Sequence, residues 1–353
     1  MKPYVFFAML VTLALLLVGC GGQTKSDEVN LYAWSEYVPQ AILDGFTEET
    51  GITINYDAYS SNEELLAKLQ AGASGYDVII PSDYIVSIMA SQGMLEELDL
   101  SAIPNFANIG DDYKNLPFDP GNKYTVPYQW GTTCLVVDTS KVTRPITSWA
   151  DLWDPEFAGK IVLVDDEREV LGMVLAVLGY DNNSIDPAQL EEARVKFQEL
   201  MPNIRLFDSD SPKTALLAGE VWLGQTWNGE AAIAHSENPD IDYIFPEEGC
   251  TMWYDNLAIP ADAPHVDAAL ELINYILRPE SGVLITYEFP YSNPNLAAID
   301  LLATEDPETY DAYLNFSATN PSTENMQLLY TIEDVGDATE MWDRVWTEVK
   351  GGE

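Results

Sequence analysis

The chain has 353 residues, and its 58 acidic side chains against 16 basic ones give a formal net charge of −42. Phosphate backbones repel so acidic a chain, which excludes nucleic acid as a partner. The length exceeds what one hydrophobic core usually organises, so two lobes are expected. An acidic surface also attracts cations. Solubility or adaptation to salt accounts for most of this charge, however, so local residues must identify the ligand.

The N-terminus predicts an export signal. Lys2 precedes an apolar run from Val5 to Val18, and no acidic residue occurs before Cys20. Because a helix needs roughly 18 to 20 apolar residues to cross the hydrocarbon, this shorter run is typical of a signal peptide rather than of a membrane span. Residues 1–19 are therefore predicted to be a signal peptide that is removed on export.

The signal ends in Leu17-Val18-Gly19-Cys20, which resembles the lipobox of bacterial lipoproteins. This resemblance implies that Cys20 is the lipidated first residue of the mature chain, followed by a polar tether over residues 20–28. The alternative is an ordinary cleaved signal that ends near a cysteine. With the anchor, the protein is extracytoplasmic, on the outer face of the cell membrane, and periplasmic where the envelope has two membranes.

After the tether, short apolar strands alternate with amphipathic helices. Strands are predicted at 29–34, 52–58 and 76–80, and helices at 39–50, from an Asn62 cap through Leu69, and at 83–92. This βαβα order predicts an α/β fold with a mostly parallel sheet.

Two polar segments follow strands of this sheet. They are Trp34-Ser35-Glu36-Tyr37 and Ser82-Asp83-Tyr84. Ligands of such sheets lie beyond the carboxyl ends of the strands. Both segments combine aromatic, hydroxyl and acidic side chains where core packing would favour aliphatic ones, so they are the first candidates for a binding site.

A second α/β pattern occupies residues 146–249, with a strand at 160–164 and helices at 170–178 and around 190–200. Two extended stretches flank it, 124–137 and 251–259, each long enough to cross between lobes. A helix at 268–277 returns the chain to the first lobe. The C-terminal part of the chain is rich in helix, and its last segment is 335–349. The predicted lobes are 29–132 with 254–299, and 133–253 with 300–353.

Cys134 and Cys250 are the cysteines of the mature chain besides Cys20. An oxidising compartment permits a disulfide between them. Two buried thiols are an equal alternative, because the sequence does not give the distance between the two residues.

Catalytic signatures are absent from the sequence. It contains no nucleophile elbow, phosphate loop, dinucleotide fingerprint or paired-cysteine motif, and its histidines are His235 and His265. We therefore expect no metal, no cofactor and no enzymatic activity. His235 is expected at the surface.

Acidic residues beside aromatic ones are the remaining candidates. Two kinds of site use them. A glycosidase needs two carboxylates at a defined separation across one bond. A cage for an alkyl-ammonium ion needs carboxylates for each ammonium group and flat apolar walls for the methylenes between them. Aromatic rings also attract the cation itself.

These segments resemble the polyamine-binding proteins of bacterial spermidine/putrescine ABC transporters. The resemblance covers the mature chain, and its most specific motifs are WSEYVP at 34–39 and SWADLWDPEF at 148–157. It implies a two-lobed periplasmic-binding-protein fold of type II, with a cleft between the lobes and a hinge of crossover strands. It also implies a protein that binds a polyamine and delivers it to the permease subunits of the transporter. We expect a monomer.

The resemblance assigns a ligand-binding role to three kinds of side chain. The aromatic walls are Trp34, Tyr37, Trp227, Trp253 and Tyr291. The ammonium-binding acids are Glu36, Asp166, Glu169 and Asp255, and the hydroxyls are those of Ser35, Ser82 and Tyr84.

One position departs from the family pattern. Ile332 stands where the family has a glutamine, which leaves open how many amines are recognised and at what spacing. Two other functions stay open at this point: a receptor of the same fold for another small solute, such as a sugar, and an acidic glycosidase.

Overall fold

The computed structural model describes residues 26–72 and 75–352. The predicted signal peptide, the lipidation site Cys20 and the start of the tether lie outside these residues. Among the residues described, no helix is long and apolar enough to cross a membrane.

The described strands form one mixed sheet. They are β1 (Glu28–Trp34), β2 (Thr53–Tyr59), β3 (Val78–Ile79), β4 (Thr125–Asp138), β5 (Ile161–Leu163), β6 (Ile204–Phe207), β7 (Leu223–Trp227), β8 (Ile241–Ile244), β9 (Cys250–Ala258) and β10 (Leu329–Tyr330).

Helices cover both faces of the sheet. They are α1 (Gln40–Thr50), α2 (Asn62–Gln70), α3 (Asp83–Ser91), α4 (Glu167–Val177), α5 (Pro187–Leu200), α6 (Pro212–Leu217), α7 (Asn228–Glu237), α8 (Val266–Ile276), α9 (Pro279–Glu288), α10 (Leu296–Glu305), α11 (Pro307–Asn315), α12 (Thr323–Met326) and α13 (Thr339–Gly351). Short 3₁₀ helices occur at Leu100–Ala102, Pro104–Asn108, Asp111–Tyr113, Trp149–Trp153, Pro155–Phe157, Met201–Asn203 and Gly336–Ala338.

The sheet consists of two parallel groups joined by two long strands. Its order is β2-β1-β3-β9-β4-β7-β5-β6, with β8 beside β4 and β10 beside β9. β1 pairs in parallel with β2 and β3, and β5 pairs in parallel with β6 and β7. β4 and β9 are antiparallel to each other, and β9 pairs with β3 while β4 pairs with β7. The predicted α/β class with two lobes and crossover strands is confirmed.

Each lobe has its own apolar core. In the first lobe, Ile42 and Phe46 of α1 pack with Leu31 of β1, as the helical spacing predicts. In the second lobe, Trp149 and Trp342 are completely buried among aliphatic side chains. Burial of each such side chain contributes about 1.5–3 kcal/mol, so the lobes are stabilised by residues that lie outside the cleft.

The start of α2 differs from the prediction. Ser61, not Asn62, is the N-cap residue, and its hydroxyl accepts a hydrogen bond of 3.1 Å from the Glu64 amide. Serine and asparagine cap helices about equally well, and a contact distant in sequence decides between them. The Asn62 side chain instead donates to the Ser82 hydroxyl at 2.9 Å and accepts from the Ser82 amide at 3.2 Å.

Helices α10 and α11 pack on the first lobe. Val283 of α9 contacts Ala298 and Leu302 of α10, and Tyr310 of α11 covers the same cluster. The predicted boundary placed residues 300–353 in the second lobe. Because these contacts bury the apolar face of α10 against α9, we propose instead that the first lobe extends to about residue 315.

The two cysteines form a disulfide, which resolves the alternative left open above. Cys134 of β4 and Cys250 of β9 have Cα atoms 5.2 Å apart and are completely buried in the second-lobe core. The bond therefore joins the two crossover strands next to the paired residues Thr133 and Thr251.

Removing this disulfide should destabilise the protein. The bond closes a loop with a sequence separation of 116, and cross-links of such loops contribute about 2–5 kcal/mol. We expect the double substitution Cys134→Ala, Cys250→Ala to lower the free energy of unfolding in urea by about this amount. Reduction of the wild-type protein should have the same effect, and an unchanged denaturation midpoint would contradict it.

Candidate functional site

A cleft lies between the lobes. All the ligand-binding residues predicted from the sequence line it: Trp34, Ser35, Glu36, Tyr37, Ser82, Tyr84, Asp166, Glu169, Trp227, Trp253, Asp255 and Tyr291. They come from the carboxyl ends of β1 and β7, from the first turns of α3 and α4, from β9, and from the loop between α9 and α10. The fold thus brings together segments that are far apart in sequence.

The cleft has further lining residues that the predicted set did not include. They are Tyr59, Ser60, Asn62, Asp83, Ser209, Asp210, Glu230 and Ile332. Two of the acids carried a usable signal: Asp83 lies within the polar segment after β3, and Glu230 lies three residues after Trp227, on the same side of the first turn of α7. Asp210 had no such signal, because it lies in a loop.

Asp255 lies at the centre of a hydrogen-bond network. Its carboxylate accepts hydrogen bonds of 2.6 Å from both the Tyr37 and the Ser82 hydroxyls. Asn62 holds Ser82 in place. Burial raises the pKa of Asp255 to about 7, although the two hydroxyl donors act in the opposite direction. Asp255 therefore lies fixed in the cleft with a proton that it can lose near neutral pH.

Asp166 and Glu169 occupy the first turn of α4. Asp166 is the N-cap residue, and its carboxylate accepts from the backbone amides of Arg168 and Glu169 at 2.9 and 3.1 Å. Glu169 accepts from the Thr133 hydroxyl at 2.8 Å, while its Oε2 atom is buried without a hydrogen-bond partner among the described residues. Burial raises the pKa of Glu169 to about 8 and also raises the pKa of Asp166.

Glu36 forms an ion pair that joins the lobes. It lies in the turn after β1 with a φ of +48°, a left-handed conformation that is uncommon for a residue other than glycine. Its carboxylate is 3.2 Å from the ammonium of Lys213, which lies on α6 of the second lobe. Lys213 also contacts Glu230 at 2.9 Å and donates to the Ser211 hydroxyl at 3.0 Å.

Aromatic rings form a continuous wall from one lobe to the other. Ring centroids are 6.5 Å apart for Trp34 and Trp227, 6.3 Å for Trp227 and Trp253, and 5.6 Å for Trp253 and Tyr291. Polar contacts hold the rings in place. The Trp34 indole donates to the Ile80 carbonyl at 3.1 Å, and the Trp253 indole donates to the Thr133 hydroxyl at 3.1 Å. Hydrogen bonds within the protein therefore fix the orientation of these two rings.

Tyr84 and Ile332 complete the cleft. The Tyr84 hydroxyl donates to Glu63 at 2.8 Å, and the Arg168 guanidinium lies 5.7 Å from the Tyr84 ring. Ile332, the position that departs from the family pattern, packs with the first-lobe cluster that contains Tyr84. At this position the chain therefore presents an apolar side chain to the cleft instead of a carboxamide.

The chemistry of this cleft suits a cation. Several carboxyl groups are buried there with raised pKa values, and a buried carboxylate is costly unless an opposite charge compensates it. Aromatic faces between them provide apolar walls that also attract cations. In the residues that the structure describes, no group of three or more His, Cys, Asp or Glu side chains could hold a metal ion.

Comparison with known proteins gives a match along most of the chain. Residues 41–318 match the family model of the bacterial extracellular solute-binding proteins. The spermidine/putrescine-binding periplasmic protein of Escherichia coli is 40% identical over 347 residues, which cover 97% of this chain and 98% of that protein. The putrescine-binding periplasmic protein PotF of Escherichia coli is 31% identical, with 97% of each chain covered.

Solved structures agree with the sequence matches. The spermidine/putrescine substrate-binding protein PotD of Streptococcus pneumoniae superposes with a TM-score of 0.74 at 36% identity, covering 92% of this chain and 99% of that chain. The TpPotD lipoprotein of Treponema pallidum gives a TM-score of 0.77 at 29% identity, with coverage of 92% and 99%. These matches confirm the predicted two-lobed fold of the periplasmic binding proteins.

The raised pKa of Asp255 predicts a cost in stability. Because the folded protein holds this proton more tightly than the unfolded chain, the free energy of unfolding falls as pH rises from about 4 to 7. We expect Asp255→Asn to remove this dependence, stabilising the ligand-free protein at pH 8 by on the order of 4 kcal/mol and changing little at pH 4. Thermal denaturation across this pH range measures the effect.

Asp119 provides the matched control for this prediction. It is also buried, but its carboxylate accepts hydrogen bonds from the Lys123, Tyr124 and Thr125 amides. Asp119→Asn should therefore destabilise the protein, the opposite sign to Asp255→Asn. A loss of stability for Asp255→Asn at pH 8 would show that its carboxylate is structural.

Proposed function

We propose that this chain, which belongs to the bacterial extracellular solute-binding protein family, is an extracytoplasmic receptor that binds a polyamine such as spermidine or putrescine between its lobes. The observation that carries the proposal is the burial of Asp255, Asp166 and Glu169 along a continuous aromatic wall. Relatives named for spermidine and putrescine binding, similar along nearly their whole length, support it.

Each part of the cleft matches one part of a polyamine. A protonated amine loses its water on entry, and the carboxylates of Asp255, Asp166 and Glu169 replace it with charged acceptors. The methylenes between the amines lie against the rings of Trp227 and Trp253, where each well-placed cation–ring contact adds roughly 0.5–2 kcal/mol. Trp34, Tyr37 and Tyr291 extend this wall, and the hydroxyls of Ser35, Ser82 and Tyr84 supply further hydrogen bonds.

Binding closes the two lobes on each other. Asp166 and Glu169 belong to the second lobe, whereas Tyr37 and Ser82, which hold Asp255, belong to the first. A diamine or triamine that reaches both groups contacts them together only in the closed form. The ligand therefore binds that form more tightly, and this difference in affinity drives closure.

The receptor hands its ligand to an ABC-transporter permease. The relatives are named as binding proteins and not as enzymes, so we infer a receptor without catalytic activity. We also propose that it acts as a monomer. A lipid at Cys20 would hold it near the permease, and the relative from Treponema pallidum named as a lipoprotein supports this anchor. A sugar receptor is disfavoured, because buried acids with raised pKa values offer a neutral ligand no compensation of charge.

Isothermal titration calorimetry with spermidine, putrescine and a neutral disaccharide tests the proposal. We expect the wild-type protein to bind an amine and not the sugar. Asp255→Asn and Trp227→Ala should each weaken amine binding by about a hundredfold, since each removes a desolvated contact worth about 2–3 kcal/mol. Trp222→Ala, which changes a tryptophan outside the cleft, should keep the affinity. Binding of the sugar but of no amine would refute the proposal.

The affinity should also depend on pH. Asp255 and Glu169 have pKa values raised to about 7 and 8 by burial, and an ammonium bound beside them lowers those values. Binding therefore displaces protons at neutral pH, so the affinity rises with pH between about 6 and 8, up to about tenfold per pH unit for each displaced proton.

Calorimetry at pH 7 in two buffers with different ionisation enthalpies measures this proton release directly. Asp255→Asn should make the pH dependence shallower, because one titrating group is lost. An affinity that stays constant from pH 5.5 to pH 8 would contradict the prediction.

A further inference from the structure

One acid of the cleft is already bound to a cation of the chain. Glu36 was assigned to a ligand ammonium by the family resemblance, but its carboxylate contacts the ammonium of Lys213 at 3.2 Å. The same ammonium contacts both carboxylate oxygens of Glu230, at 2.9 and 3.0 Å, and the Ser211 hydroxyl at 3.0 Å. Three acceptor groups thus surround a group with three N–H donors.

The Lys213 ammonium is well shielded from water. Its side chain is 15% exposed, and that of Glu230 is 5% exposed. Glu36 and Glu230 both line the cleft. The chain therefore supplies, at this part of the cleft, the same chemical group that a polyamine would bring, with its charge and hydrogen bonds satisfied.

Three other acids of the cleft, Asp255, Asp166 and Glu169, have no such partner. Asp255 receives hydroxyl hydrogen bonds, and Asp166 and Glu169 receive amide and hydroxyl hydrogen bonds. Among the described residues, none of these three carboxylates lies in an ion pair with a lysine or arginine. Of the four acids assigned to ligand ammonium ions from the sequence, two carboxylate groups, Asp255 and the Asp166–Glu169 pair, are thus left for the ligand; Asp83 and Asp210 also line the cleft but do not belong to those four.

We propose that Lys213 is a specificity-determining residue, which occupies Glu36 and Glu230 with its own ammonium and so favours a diamine over a triamine. Putrescine carries two ammonium groups and matches the two free carboxylate groups. Spermidine carries a third amine, which at Glu36 competes with Lys213 for a carboxylate that already holds one ammonium group. The inference rests on the proposed polyamine-binding function and names the ligand class within it.

Lys213 also affects closure of the lobes. It bridges them, because Glu36 lies in the first lobe and α6 in the second, so the loss of Lys213 weakens closure whatever the ligand is. That effect is common to both amines and cancels in the ratio of their affinities. The ratio of the spermidine and putrescine dissociation constants therefore reports specificity separately from closure.

Calorimetry with putrescine and spermidine on four variants tests the inference. We expect Lys213→Ala to shift the affinity ratio towards spermidine by roughly tenfold or more, the effect of one additional charge-assisted contact. Lys213→Arg, which keeps the cation, and Lys196→Ala, which removes an ion-paired lysine on α5 far from the cleft, should leave the ratio unchanged.

The double variant Lys213→Ala, Glu230→Gln guards against misfolding. It removes the buried acid that Lys213→Ala alone leaves unpaired, while Glu36 stays free to bind a ligand ammonium, so the same shift towards spermidine is expected. An equal loss of affinity for both amines in both variants would show that Lys213 only holds the lobes together, and it would overturn the inference while leaving the proposed function intact. A wild-type protein that binds neither amine overturns both.

Discussion

Burial of carboxyl groups without a matching cation is the constraint on which this molecule depends. Water solvates a carboxylate better than any apolar wall does, so Asp255 and Glu169 keep their protons to unusually high pH. The folded chain tolerates this cost because two separate cores, around α1 and around Trp149 and Trp342, supply the stability. A cationic ligand removes this cost. The low-dielectric surroundings that destabilise an unpaired carboxylate also strengthen its ion pair with the bound ligand.

Much of the cleft was predictable because strand ends converge at one edge of a parallel sheet. The segments after β1 and β3 therefore had to lie close together, and their mixture of acids, hydroxyls and rings stood out from core composition. For these two segments a local pattern was sufficient, because regular backbone geometry determined where the side chains point. Asp166 and Glu169 were assigned through the family resemblance, and in the structure the first turn of α4 places both side chains on one side.

Other features depend on contacts that no local pattern contains. Ser61 and Asn62 are equally good helix caps, and only the bond from Asn62 to Ser82 decides their roles. Lys213 lies on a short helix without aromatic neighbours in sequence, and it reaches Glu36 from the opposite lobe. The cysteine pairing required the register of β4 against β9. Each of these contacts joins residues that are separated by many elements, so sequence spacing alone could not predict it.

The disulfide between the crossover strands also changes the covalent form of the chain. The bond between Cys134 and Cys250 closes a ring that contains β5, β6, β7 and the helices between them, which is most of the second lobe. A single peptide-bond cut anywhere inside this ring leaves both pieces joined to the strands that carry Thr133 and Asp255. An extracytoplasmic receptor can thus be nicked in its second lobe and remain one molecule.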